Sequence, residues 1–401
     1  MNELFSFYNF HFTFQIEIIH QGILIFKNRN KHRMKLQEIT SLIERVAPLS
    51  YQESYDNSGL ITGSNNMDIS NILLCLDCIE SVVDEAIDKK CNLIIAHHPI
   101  VFSGLKKLNG KNYIERVIIK AIKHDIAIYA CHTNLDNVLN SGVNQKIANK
   151  LGLNNQQILA PKSNLMSKLV VYCPNDKPEN IVAVRENLFA NGAGHISDYS
   201  NCSFNIEGKG SFLPGESTNP AFGEKGKTNF MEETKIEVIV MNQDASRIVA
   251  EVNKVHPYEE VAYEVIPMSN PNQQIGSGMI GELKTEMDTK EFLSFLKNEM
   301  KTECVRFTNI HKDKVSKIAV CGGSGSFLLD AAKAQEADVF VTGDYKYHQF
   351  FDAENDIVIA DIGHYESEQF TIDLFEEILE PISQEVKVIQ TSINTNPVNY
   401  L

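Results

Sequence analysis

The hydrophobic pattern between residues 34 and about 160 predicts alternating strands and helices. Residues 72–76 are uniformly apolar, residues 81–90 have helical periodicity, and residues 93–96 are again uniformly apolar. A strand, a helix and a second strand in this order predict a parallel sheet with right-handed crossovers. Functional residues in such sheets gather at the carboxyl ends of the strands, so those ends are where chemistry is expected.

An internal repeat extends this pattern to the second part of the chain. Residues 71–98 align with residues 317–344 at a constant offset of 246 without a gap, and the hydrophobic positions match throughout. Each copy is followed by another strand and a similar pentad, residues 132–136 in one and 364–368 in the other. We therefore predict an α/β fold in which two related α/β halves form one three-layer domain.

The stretch between the two copies has a different pattern. Apolar strands at 168–173 and 235–240 and two helical segments predict a β-α-β-β-α-β order, which is a ferredoxin-like α+β plan. The predicted organisation is an extension outside the fold at residues 1–33, a first half at 34–164, an inserted domain at 165–268 and a second half at 269–401.

The first 33 residues contain an aromatic-rich run followed by a basic stretch at 27–33. A secretory signal has the opposite order, and no stretch of the chain reaches about 18 uninterrupted apolar residues. We therefore expect no membrane partner and take Met34 as the natural start. A segment that touches a membrane is the alternative.

Composition narrows the classes of function. There are 37 Lys plus Arg against 52 Asp plus Glu, so the formal charge is −15. This balance argues against a nucleic-acid partner, which would require a basic face. The eight cysteines are spread through apolar runs, which is typical of reduced thiols in a cytoplasmic protein. Cys75 and Cys78 could instead form a redox pair or half of a zinc site.

The residue types at the strand ends suggest a metal site. His97 and His98 end an apolar strand at Pro99, and adjacent strand residues point to opposite faces, so two neighbouring ions could each take one imidazole. His364 and Glu368 share a face if a helix begins there, since they are four residues apart.

Asp136 stands at the place in the first pentad that Glu368 has in the second. Imidazoles and carboxylates without a thiolate suit zinc, manganese or iron. Asp136 joins His97, His98, His364 and Glu368 as a fifth ligand. Five such ligands suffice for two ions about 4 Å apart, especially if one carboxylate bridges them. The alternative for any one of these residues is a hydrogen-bonded histidine or a helix-capping acid.

Five motifs together resemble a known family, the GTP cyclohydrolase 1 type 2 homologues, also called Nif-three-like dinuclear metal proteins. They are His97-His98-Pro99, residues 132–136, Gly343-Asp344, residues 361–368 and residues 54–60. The resemblance covers about residues 34–390, and the insert is similar to the PII-like or CutA-like module of the longer bacterial members.

This resemblance implies two divalent ions per chain, with Glu368 as the bridge, and a toroidal homohexamer whose sites face an internal cavity. The implied ligands are His97, His98, Asp136, His364 and Glu368.

A bridged pair of ions activates water for hydrolysis. We therefore expect a metal-dependent hydrolase that uses a metal-bound hydroxide on a nucleotide-like or phosphoester substrate, with zinc as the first choice of metal and iron or manganese as alternatives. Asp344, His132 and His348 are candidates for orienting ligands or transferring protons. The turn at 322–325 could hold a phosphate or simply pack tightly. A non-catalytic metal-binding regulator or scaffold that acts through its insert is the alternative function.

Overall fold

The computed structural model describes residues 33–401, which form a mixed α/β fold with three sheets. The extension predicted for residues 1–33 lies outside the described residues, apart from Arg33. In this part of the chain the strands are, in order, β1 Gly59–Thr62, β2 Asn71–Asp77, β3 Leu93–His98, β4 Ala127–Ala130, β5 Leu153–Lys162, β6 Met166–Pro174, β7 Phe204–Phe212, β8 Asn229–Met241, β9 Tyr263–Met268, β10 Asn272–Asp288, β11 Arg306–Phe307, β12 Lys314–Ser324, β13 Val339–Gly343, β14 Val358–Asp361 and β15 Lys387–Gln390.

The first α-helix precedes β1 and the others lie between later strands, and short 3₁₀ turns occur at 49–51, 326–328, 347–353 and 380–382. Over the same residues the α-helices are α1 Leu36–Val46, α2 Glu80–Asp88, α3 Tyr113–Lys123, α4 Thr133–Asp136, α5 Val143–Lys150, α6 Pro178–Ala190, α7 Ala245–Val252, α8 Thr289–Glu299, α9 Leu329–Ala334, α10 His364–Glu368 and α11 Thr371–Leu379.

Two of the sheets hold the strands whose ends carry the polar motifs. The first sheet has the order β1-β4-β3-β2-β15, and the second has the order β11-β14-β13-β12-β10-β5. The pairs β2 with β3 and β3 with β4 are parallel, as the alternating pattern predicts, and β12, β13 and β14 are parallel in the second sheet. That the two halves are related to each other by an internal repeat stays a prediction. Within each sheet, the parallel strands end beside one another, as the hydrophobic pattern predicts.

The third sheet is formed entirely by residues within 166–268. Its order is β7-β8-β6-β9 with every pair antiparallel, and α6 and α7 complete the β-α-β-β-α-β sequence of elements. It has its own apolar cluster, which includes Leu169, Leu188, Ile236 and Ile248. The division of the chain into domains and the PII-like or CutA-like character of this segment stay predictions.

The largest apolar core joins the two site-bearing sheets. Helix α1 buries Leu36, Ile39 and Ile43, the spacing of an amphipathic helix, and these pack in one cluster with Ile318 of β12 and Phe375 of α11. This shared core holds the strand ends of both sheets in a constant relation to each other.

Two further properties concern the described residues only. All eight cysteines lie within them as free thiols, and Cys75 and Cys78 are buried, which supports the core interpretation over a redox or zinc pair. None of the helices from residue 33 onward combines the length and the apolar character that crossing a bilayer demands.

Candidate metal centre

The five predicted ligands meet where strands of the two site-bearing sheets end. His97 and His98 are the last residues of β3, and their rings lie 4.9 Å apart between centroids. Asp136 ends the short helix α4, which follows β4, while His364 and Glu368 begin and end α10, which follows β14. The ligand set therefore draws on both sheets, and the helical spacing predicted for residues 364–368 is present.

One group of ligand atoms lies around a single carboxylate oxygen. Oε2 of Glu368 is 2.9 Å from Nε2 of His98 and 3.1 Å from Nε2 of His364, and the two Nε2 atoms are 3.3 Å apart. These two imidazole nitrogens and one carboxylate oxygen lie within 4.8 Å of one another, so they could hold a metal ion.

A second group lies around the other oxygen of the same carboxylate. Nε2 of His97 is 3.6 Å from Oδ1 of Asp136 and 3.7 Å from Oε1 of Glu368. Within the described part of the chain, Nε2 of His97 and Oδ1 of Asp136 are buried and have no hydrogen-bond partner. A buried polar atom without a partner is costly, and an ion between these atoms would remove that cost, so the residues present fit a metal.

Each histidine of the cluster is held through its other ring nitrogen. Nδ1 of His97 is 2.9 Å from the carbonyl oxygen of Cys131, Nδ1 of His98 is 2.7 Å from Asp77, and Nδ1 of His364 is 2.7 Å from Asp344. An acceptor at Nδ1 selects the tautomer that leaves Nε2 free to bind a metal. Asp344 therefore lies where an orienting residue is expected.

Asp77 contacts the predicted ligand His98, and the sequence analysis did not predict it as a site residue. It is the last residue of β2, and the register of the parallel pair places it opposite His98. A strand alignment that extended to the last residue of β2 would have identified it, because neighbouring parallel strands bring their ends to the same edge of the sheet.

Close carboxylates and imidazoles shift one another's pKa values in the metal-free protein. Burial lowers the pKa of His98, but its hydrogen bonds to Asp77 and Glu368 raise the pKa to about 9. Burial also lowers the pKa of His364, while the charge of Glu368 and the hydrogen bond to Asp344 raise it to about 11. Burial and the charge of Glu368 raise the pKa of Asp136 well above its usual range. Protons and metal ions thus compete for the same atoms.

The other two candidates from the sequence fall in different places. The His132 ring lies 5.3 Å from His97 and 5.4 Å from His98 between centroids, and its Nδ1 is 2.8 Å from Asp56, which belongs to the 54–60 motif but was not predicted as a site residue. His348 lies on an exposed 3₁₀ turn against Tyr347, away from the cluster. The structure thus brings His132 but not His348 to the ligands.

The glycine turn predicted at 322–325 packs directly against the carboxylate of Glu368. The N–H groups of Gly322 and Gly323 donate to Asn144 and Ser367, at 3.0 and 2.9 Å, so they are not available to hold a phosphate. Gly323 has a φ of +62°, and a Cβ built there would lie 2.5 Å from Oε1 of Glu368. Close packing is therefore the role that this structure gives to the turn.

A cavity of about 870 Å³ opens beside the cluster. His98, His132, Asp136, His364 and Glu368 all line it, whereas the His97 side chain is fully buried behind them. A small molecule in this cavity would reach both groups of ligand atoms.

The sequence and the fold were compared with those of known proteins. A family model described as Duf34/NIF3 (NGG1p interacting factor 3) matches residues 34–397. The GTP cyclohydrolase 1 type 2 homolog of Halalkalibacterium halodurans is 39% identical over 370 residues, which cover 91% of this chain and 98% of that protein. The homolog of the same name from Bacillus subtilis is 38% identical over 370 residues, with the same shares covered.

A solved structure gives the same result for the fold. The Bacillus cereus protein related to NIF3 has a TM-score of 0.79 to this structure and 37% sequence identity, and the match covers 93% of this chain and 100% of that one. The similarity thus spans both site-bearing sheets and the segment between them.

Proposed function

This chain belongs to the Duf34/NIF3 family, and from that premise we propose that it is a dinuclear metal-dependent hydrolase. One observation carries the proposal. The two oxygens of Glu368 face two different sets of ligand atoms, Oε2 towards His98 and His364 and Oε1 towards His97. A carboxylate placed in this way is suited to bridge two ions.

Zinc is the metal that we propose first, with iron and manganese as alternatives, because the donors are imidazoles and carboxylates. Two such ions would supply Lewis acidity and make a water molecule a nucleophile at neutral pH. Five protein ligands leave positions open on two ions, and the cavity reaches them. Open positions favour catalysis over a purely structural site.

The side chains around the ligands have distinct tasks in this proposal. Asp77 and Asp344 keep His98 and His364 in the required orientation. His132, held by Asp56, lines the cavity and could move a proton to or from a reacting group.

The substrate that we propose is a small nucleotide-like molecule or phosphoester. The name printed for the relatives makes GTP the first compound to test. Acids such as Glu53, Asp77 and Glu366 line the cavity, and its Arg306 is paired with Asp361. An anionic substrate would therefore bind mainly through the ions. A toroidal homohexamer is also proposed, from the family resemblance, and light scattering would measure it.

The decisive experiment is the metal content per chain of untagged protein, for the wild type and for Glu368→Gln. We expect two ions in the wild type and fewer than about one in the variant, since an amide cannot offer two anionic oxygens to two ions. Glu115→Gln is the matched control, because Glu115 is also buried but accepts backbone N–H groups of residues 109 and 111 instead.

A screen of GTP and simple phosphoesters on the same preparations tests the hydrolase. Turnover by the wild type and the control, and its loss in Glu368→Gln, is the expected result. Absence of metal from the wild type would refute the metal centre. Two ions without turnover of any compound would instead favour a regulatory metal-binding role.

A further inference from the structure

The last residues of the chain cross from one site-bearing sheet to the other. We call residues 391–401 the C-terminal tail. It follows β15, which pairs with β2 at the edge of the first sheet. Its start is anchored there, since the N–H of Thr391 donates to the carbonyl of Leu74 at 2.9 Å and the N–H of Ser392 donates to Glu85 at 2.8 Å. The tail then passes over the metal centre, where Asn396, Val398 and Tyr400 line the cavity.

One tail residue contacts the carboxylate that orients a ligand. The hydroxyl of Thr395, which is 8% exposed, donates to Oδ2 of Asp77 at 2.7 Å. The other oxygen of Asp77 holds Nδ1 of His98 at the same distance. Both oxygens of Asp77 are thus engaged, one by the tail and one by the ligand, so the Thr395 hydroxyl determines the plane of the carboxylate that His98 meets.

The next tail residue contacts the helix that carries the other ligands. Nδ2 of Asn396 donates to Oε1 of Glu366 at 2.9 Å, and Glu366 is buried in α10 between His364 and Glu368. The hydroxyl of Tyr400 lies close to the start of this helix, 3.1 Å from the position that a Cβ would take on Gly363. The tail therefore packs on α10 at two places.

We propose that the C-terminal tail is a positioning strap of the metal centre. Through Thr395 and Asp77 it orients His98 from the first sheet, and through Asn396 and Glu366 it holds the helix that brings His364 and Glu368 from the second. This inference rests on the proposed function, because it assumes that the cluster binds metal. The tail supplies no ligand of its own and acts only through the geometry of the ligands.

The tail should affect metal affinity because a ligand that is loosely held binds the metal more weakly. Removing a group that orients a metal ligand typically weakens metal affinity about 10- to 100-fold. Two residues, Asp77 and His98, stand between Thr395 and the ion, so we expect the lower end of that range.

The test uses Thr395→Val, which keeps the shape of the side chain and removes the donor, and Thr395→Ser, which restores the donor. Zinc affinity is measured on the full chain by competition with a chelator. We expect the dissociation constant for zinc to rise about tenfold in Thr395→Val and to stay within about twofold of the wild type in Thr395→Ser.

Thr234→Val is the matched control. Thr234 of β8 in the third sheet is also buried, at 5% exposed, and its hydroxyl donates to the side chain of Asn175, which directly follows β6. Its zinc affinity should equal that of the wild type. Asn396→Ala tests the contact of the tail with Glu366 of α10. Asn396 is partly exposed, so this variant keeps the inference testable if Thr395→Val does not fold.

A double-mutant cycle separates positioning from general destabilisation. If Thr395 acts through Asp77, then Thr395→Val should weaken zinc binding no further in a chain that already carries Asp77→Asn. If the effects of Thr395→Val and Asp77→Asn on zinc affinity were fully additive, the positioning role of the tail would be refuted. Unchanged zinc affinity in both Thr395→Val and Asn396→Ala would refute it as well. Failure of the wild type to bind zinc would instead refute the proposed function.

Discussion

His98 shows how much one side chain of the cluster depends on its surroundings. One ring nitrogen meets Asp77 and the other meets Glu368, at 2.7 and 2.9 Å. Without a metal, the two carboxylates stabilise the protonated ring, so the pKa of His98 rises despite burial and the ring retains a proton. With a metal, the same ring must be neutral at Nε2. The occupant of the cluster is therefore set by the competition between protons and ions at this atom.

This competition predicts the pH dependence of stability in the metal-free protein. The pKa of His98 is about 9 in the folded protein against an ordinary value of 6.5. The folded state thus holds a proton that the unfolded chain has released. The stabilisation that protonated His98 gives the folded state is complete below pH 6.5 and is lost as the pH rises through 9. Denaturant unfolding in a chelator should show the free energy of unfolding falling between these values, by up to about 1.4 kcal/mol per pH unit for this group.

Two controls identify the group. His98→Gln should show a smaller fall over the same range, because it has no proton to release. The zinc-loaded wild type should show little fall, since the ion replaces the proton. A metal-free wild type whose stability does not change between pH 6.5 and 9 would contradict the assignment.

At the scale of elements, the site depends on short segments that follow strands. Helix α10 has only five residues, yet it places His364 and Glu368 on one face. The end of β12 lies against it, where the N–H of Gly323 donates to Ser367 within the helix. The absence of a side chain at residue 323 is what leaves room for the carboxylate of Glu368.

Gly323→Ala should therefore impair metal binding more than it impairs folding. Its Cβ would lie 2.5 Å from Oε1 of Glu368, so the carboxylate would have to move. Ligands must be held within about 0.5 Å of their productive positions, and we expect zinc affinity to fall at least about tenfold. Titration against a chelator would measure this change.

Gly152→Ala is the matched control for backbone strain. Gly152 has a φ of +65°, close to the +62° of Gly323, but a Cβ there would meet no atom within 4 Å. Both variants should lose about 1 to 2 kcal/mol of stability from the left-handed backbone, and only Gly323→Ala should lose zinc. Equal zinc affinities in the two variants would show that the contact with Glu368 is unimportant.

At the scale of the whole molecule, the described residues contain separate apolar clusters. The largest includes Ile72 of the first sheet and Ile318 of the second, so it supports the strand ends that carry the ligands. The cluster of the third sheet is distinct and includes Leu188 of α6. Metal binding should therefore stabilise the two site-bearing sheets without a direct effect on the third.

Leu188→Ala tests this separation. Removing a fully buried leucine side chain typically costs about 2 to 5 kcal/mol, and here the loss should fall on the third sheet. Calorimetry should show one transition lowered in temperature, while zinc raises a different transition by the same amount as in the wild type. A single transition that both the substitution and zinc shift would show that the clusters unfold together.

Much of this protein could be predicted from local sequence properties. The period of the apolar residues predicted the strands and helices, because each element must bury one face or stripe. The polar residues that interrupt this pattern at strand ends identified His97, His98, Asp136, His364 and Glu368. Parallel strands bring such ends to one edge of their own sheet, so the ligands of each sheet were predictable as neighbours, whereas the meeting of the two edges is seen only in the tertiary structure.

Only the tertiary structure decided how those ligands are held. Asp77 and Thr395 have no local signal of function, and Thr395 lies 318 residues from Asp77 along the chain. His348, a candidate for the same tasks as His132, lies on an exposed turn. Sequence periodicity reports which face of an element is buried, whereas a hydrogen bond between distant side chains depends on the packing of whole sheets. That packing brings the end of the chain back to the edge where the ligands meet.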